Sequence, residues 1–122
     1  MGHIRHRAIL VTAYDGKFAA VAWRKARKIF CTPPPNLPAC PHEYCDAEVF
    51  EALVSPVIQS VVNGYFTFCI MPDGSKMGWL DANWAEELRD KFINYITDRR
   101  GYTWAEVQYG DDAGDNNLLR CS

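Results

Sequence analysis

The sequence predicts an α+β fold: a ferredoxin-like β-α-β-β-α-β chain with a four-stranded antiparallel sheet, two main helices on one face and a Pro/Cys-rich insert. Three observations carry this expectation. Four segments rich in β-branched and aromatic residues are interleaved with two amphipathic segments in that order. Asn63-Gly64 is a strong hairpin signal, because both residues tolerate the positive φ that a type I′ turn requires. Five of the seven prolines lie together in CTPPPNLPACPHEYC (31–45), a stretch that neither helix nor ladder accommodates. With 122 residues, 48% of them hydrophobic, the chain suits one domain spanning 1–122 and is too short for two ordinary ones.

HRAILVTAY (6–14) is apolar and β-branched and ends at the turn signal Asp15-Gly16, which makes it the first strand. From Lys17 to Phe30, Phe18, Val21, Ala22, Ala26, Ile29 and Phe30 recur at three- and four-residue spacing, with Arg24, Arg27 and Lys28 opposite. That spacing predicts an amphipathic helix. Residues 31–53 form the insert, within which Asp46 caps a short helix reaching Leu53, with Val49, Phe50 and Leu53 on one side. Strand 57–62 follows Pro56, and the Asn63-Gly64 turn returns the chain as strand 65–71. That strand is apolar on both faces, so it is placed centrally with the first strand beside it and the last strand at an edge. A second helix starts at Asp81 or Asn83 with Trp84, Leu88, Phe92, Tyr95 and Ile96 inward, and Gly101 ends it. TWAEVQYG (103–110) alternates as the last strand, and 111–122 reads as a polar tail.

The formal net charge of −2 does not make the whole molecule a trap for nucleic acid. Basic residues are concentrated early, however: Arg5, Arg7, Lys17, Arg24, Lys25, Arg27 and Lys28 face one acid, Asp15. No apolar run approaches the ~20 residues that span a bilayer, and no signal-peptide core is evident, so a cytoplasmic protein without a membrane partner is expected. Five cysteines, an odd number, fit reduced thiols.

Three constellations are chemically suggestive. Cys31, Cys40, His42 and Cys45 supply the thiols and imidazole of a tetrahedral zinc shell, although C-x8-C-x-H-x2-C matches no standard paired knuckle. Otherwise no cofactor is implied. Asp73-Gly74-Ser75-Lys76 precedes a helix, where backbone N–H groups and Lys76 can hold an anion, but the GxxxxGK[ST] pattern is absent. Third, a sheet face without helices must meet something. Tyr65, Phe66 and Phe68 invite comparison with an RNA recognition motif, but Asn63 and Phe66 stand where a basic and a small residue belong. A homodimer through that open face is the simpler expectation. No Ser/His/Asp spacing, HExxH or dinucleotide glycine pattern occurs, so a non-enzymatic protein is expected.

GHIRHRAILVTAY (2–14), VNGYFTFCIMPDGSKMGW (62–79) and AEVQYGDD (105–112) together resemble a set of small proteins, without an established activity, found mainly in bacteriophage and prophage genomes. The resemblance covers most of 2–112 apart from the insert and transfers no functional residue. It implies a context in which small accessory proteins work by binding. They block a host antiviral defence complex, as anti-CRISPR proteins do, or sequester its nucleotide signal. The expected partner is therefore a host protein complex or a small nucleotide. By charge and stacking chemistry, a nucleotide reading falls on Arg5, Arg7, Tyr65, Lys76, Trp79 and Tyr109. A single-stranded nucleic-acid-binding domain and a zinc-stabilised assembly module are the alternatives.

Overall fold

Asp15 closes the first strand, β1 (Arg5–Ala13), and opens the first helix, α1 (Gly16–Phe30): its carboxylate accepts a hydrogen bond from the Lys17 N–H at 2.6 Å. The structure, a computed structural model, describes residues 5–35, 37, 47–75, 79–110 and 116–122. The remaining elements are α2 (Ala47–Glu51), β2 (Ile58–Gln59), β3 (Phe66–Ile70), α3 (Leu80–Thr97), β4 (Tyr102–Gly110) and β5 (Asn117–Cys121). Among the described residues the fold is α+β, with three helices and a five-stranded sheet ordered β2-β3-β1-β4-β5, in which every neighbouring pair is antiparallel.

Register decides which side chains meet the helices. Ile9 faces Ile70 and Glu106, and Val11 faces Phe68 and Trp104, so these residues share one face of the sheet. All six are buried, against Ala22, Ala26, Ile29 and Phe30 of α1 and Leu88, Phe92 and Ile96 of α3. Small residues at 19, 22 and 26 bring the α1 backbone close to the sheet, while Phe68 meets Phe92 edge to face at 6.2 Å. α2 adds Phe50, tilted on Trp84 at 5.8 Å, and Arg27–Glu51 joins α1 to α2 at 2.6 Å.

Several expectations need correction. The sheet has five strands, not four, because part of the expected polar tail pairs with β4 as β5. The last expected strand is therefore internal, while β3 lies inside the sheet with β1 beside it, as expected. The second strand is only two residues long: Val61 and Val62 are exposed, and the Ser60 hydroxyl, not a backbone carbonyl, accepts the Tyr65 N–H at 2.8 Å. The Asn63-Gly64 turn stands, with φ of 68° and 66°. Phe18 and Val21, expected inward on α1, are exposed, while Ala19 takes the inner position. Val49, expected on the inner side of the short helix, is also exposed. Tyr95 is only partly buried, and Ile93 is a buried member of the α3 face. Asp46, the expected cap of the short helix, lies outside the described residues.

The two sheet edges differ. Beyond β2, the outer edge of β3 is closed by chain from 53–55: Ser55 N–H donates to Cys69 O at 2.8 Å and Met71 N–H to Leu53 O at 2.8 Å. On the other edge lies β5, whose ladder with β4 is interrupted by a bulge at Glu106/Val107. Among the described residues no helix is long and apolar enough to cross a membrane.

Gly101 links α3 to β4 at φ +95°, and a Cβ there would sit 2.9 Å from the Phe18 ring. Gly101→Ala is expected to cost about 1–2 kcal/mol, mostly from the left-handed backbone, since the half-exposed Phe18 ring can give way. Urea unfolding with an unchanged midpoint would contradict this.

Candidate functional site

β1 begins where β4 ends: Arg5 pairs with Gly110 and Arg7 with Gln108. Both arginines lie on the helix-facing side, because they share the parity of Ile9 and Val11. β3 runs antiparallel to β1, so the chain leaving β3 returns to this same end and carries Asp73 and Ser75. The first turns of α3 complete the enclosure with Ala82, Asn83, Glu86 and Arg89. The result is a cavity of about 140 Å³ with three arginines, Asp73 and Glu86 in its wall.

Two ion-pair systems organise it. Arg7 spans Glu86 at 2.6 Å and Glu106 at 3.1 Å. Arg120 of β5 reaches the other oxygen of Glu106 at 2.7 Å and Asp90 of α3 at 2.8 Å. Glu106, wholly buried, is thus held from both sides by guanidinium groups whose other hands grip more exposed acids. The hydrogen bond to Glu106 raises the Arg120 pKa further above its ordinary value, with Asp90 adding to it. The second system is Arg89–Asp73 at 2.7 Å, its arginine side chain only 3% exposed. Burial by itself pushes the Asp73 carboxyl up, but hydrogen bonds from Ser75 and Arg89 outweigh it and hold the group below its ordinary value. The buried Nε groups of Arg7 and Arg89 have no hydrogen-bond partner among the described residues.

A second cavity, of about 230 Å³, lies against the same loop. Val49, Phe50, Leu53 and the half-exposed Trp79 form its apolar wall, and Asp73, Gly74, Ser75 and Asp81 the rest. Asp73 and Ser75 therefore border both cavities.

Of the residues expected to bind a ligand, the structure brings Arg5 and Arg7 into one cavity and Trp79 into its neighbour. Tyr65 precedes β3 at the opposite end of the sheet, since Phe66 pairs with Ala13. Tyr109 is near Arg5 along the strand but on the other face, tilted on His6 at 5.1 Å. Lys76 lies outside the described residues. Cys31 is exposed at the end of α1, while Cys40, His42 and Cys45 lie outside the described residues. Among the described residues no group of three or more His, Cys, Asp or Glu is placed to hold a metal.

Register turns two of the three aromatics in the RNA-binding comparison, Phe66 and Phe68, away from the open face. Phe68 is buried against the helices and Phe66 shares its face, touching the position of Gly16. The open face instead carries Leu10, Ile58, Tyr109 and Leu118, all substantially exposed. Arg27 of the basic helix is bound to Glu51 and rests over Trp23, and Lys25 sits over Tyr95.

Arg89, Glu86, Glu106 and Arg120 are participants that sequence reasoning missed. For Arg89 a signal existed: it falls on the inner stripe of α3 with Ala85, Phe92 and Ile96, where a charge is out of place unless paired. Comparison with protein-family models, with curated proteins and with solved structures finds no match to this chain.

Proposed function

We propose that this is a non-enzymatic accessory protein of phage or prophage origin that binds and inhibits a host component, an antiviral defence complex or its nucleotide signal, in the bacterial cytoplasm. One observation carries the binding part: Arg5, Arg7 and Arg89 converge on one cavity, and Arg89 is almost wholly enclosed. Arginine presents planar, permanently charged donors suited to carboxylate and phosphate. The start of α3 borders the same cavity through Ala82 and Asn83, adding the positive end of a helix dipole. The phage context rests on the three sequence segments above. We read the architecture as a ferredoxin-like unit enlarged by β5, a reading supported by the order β2-β3-β1-β4 within the sheet.

Expression in bacteria carrying single defence systems is expected to restore phage plating against at least one. Arg5→Ala is expected to weaken that restoration. Failure to rescue phage under any defence system, together with no host partner or nucleotide retained in affinity capture, would overturn the reading.

A further inference from the structure

We propose that the two cavities flanking Asp73 and Ser75 form one site for a nucleoside 5′-monophosphate, with the phosphate among Arg5, Arg7 and Arg89 and the base against Trp79. The proposal rests on reading the arginine cavity as an anion site and goes beyond it by naming the ligand class.

Size is the first reason. The arginine cavity, about 140 Å³, is below the ~300 Å³ at which clefts for drug-sized ligands begin. The apolar cavity, 230 Å³, is also below that size. Neither half suits such a ligand alone. Because both are bordered by Asp73 and Ser75, a small molecule with one anionic and one flat aromatic end can use the two together.

Chemistry is the second reason. The arginine half offers charged donors, and Arg89 cannot leave, being 2% exposed. The other half offers a half-exposed indole beside Phe50 and Leu53, a platform on which any base can stack. Glu86 gives the third reason. Its side chain is 56% exposed, yet its carboxylate is 2.6 Å from Arg7 and lines the arginine cavity. It occupies the position that an incoming phosphate oxygen would take. An exposed pair of this kind is weak, so a dianionic phosphate can displace it.

The test is calorimetric titration of the full chain with the four common ribonucleoside 5′-monophosphates, ribose 5-phosphate, inorganic phosphate and adenosine. Wild type is expected to bind at least one monophosphate about tenfold more tightly than ribose 5-phosphate, the increment expected of one stacked base. Trp79→Ala should remove that difference while leaving ribose 5-phosphate binding unchanged. Glu86→Gln, at an exposed position that leaves the core intact, should tighten every phosphate-bearing probe about threefold by removing the competing carboxylate. Monophosphates that bind no better than ribose 5-phosphate, or a Trp79→Ala variant that keeps the full difference, would overturn the inference while the anion reading stands. If no phosphate-bearing probe binds wild type or Glu86→Gln, both readings fall.

Discussion

Replacing Arg120 by leucine is expected to lower stability by about 2–3 kcal/mol, and adding Glu106→Leu is expected to restore part of the loss. Most second substitutions deepen a defect, so the sign of the second step is the test. Glu106 has no exposed surface, and its desolvation is offset by Arg7 on one oxygen and Arg120 on the other. Without Arg120 one oxygen of a buried carboxylate loses its charged donor. The reverse removal is milder. Arg7 and Arg120 keep Glu86 and Asp90 as partners, and Arg120 is already 36% exposed. Glu106→Leu alone is therefore expected to cost less than Arg120→Leu alone. Urea midpoints of the two single variants and the double variant close the cycle. A double variant less stable than Arg120→Leu would show that Glu106 stabilises the fold in its own right.

Much of the architecture was readable from residue patterning, and the misreadings have definite physical causes. β1, the Asn63-Gly64 turn and both long helices follow from local signals: β-branched runs, residues tolerant of positive φ, and three- and four-residue apolar spacing. β5 has no such signal. Its sequence, NLLRC, does not alternate, and the bulge in its ladder shifts parity midway, so only β4 makes it a strand. Alternation in β4 separates Trp104 and Glu106 from Ala105 and Val107 but does not say which set meets the helices. The more apolar set would be the natural choice, and it lies on the open face. The helix-facing side has Glu106 because Arg7 and Arg120 come from neighbouring strands to meet it. The candidate site shows the same division. Arg5, Arg7 and Trp79 could be named from charge and aromaticity, whereas Arg89 and Asp73, 16 residues apart, become partners only when the chain leaving β3 folds back along α3.

Asp73→Ala is expected to be more damaging than Arg89→Leu, about 3–4 kcal/mol against about 1–2, because the two changes strand different charges. Arg89 has a side chain 3% exposed, and without Asp73 its guanidinium stays in the interior with its carboxylate removed. Asp73 is 12% exposed and borders both cavities, so without Arg89 it can recruit water. Acid weakens the same contact without a mutation. In the folded chain the Asp73 pKa lies below its ordinary 3.8, so the unfolded chain takes up the proton first as pH falls. The stabilisation is complete above the unfolded pKa and is lost as pH falls through the folded one. Above about pH 5 the stability gap between wild type and Asp73→Ala should therefore be constant, and below about pH 4 it should narrow. Urea unfolding of both proteins from pH 7 to pH 3 measures the gap directly. A gap that stayed constant or widened toward pH 3 would mean that the Asp73 carboxylate is not what holds Arg89 in the interior.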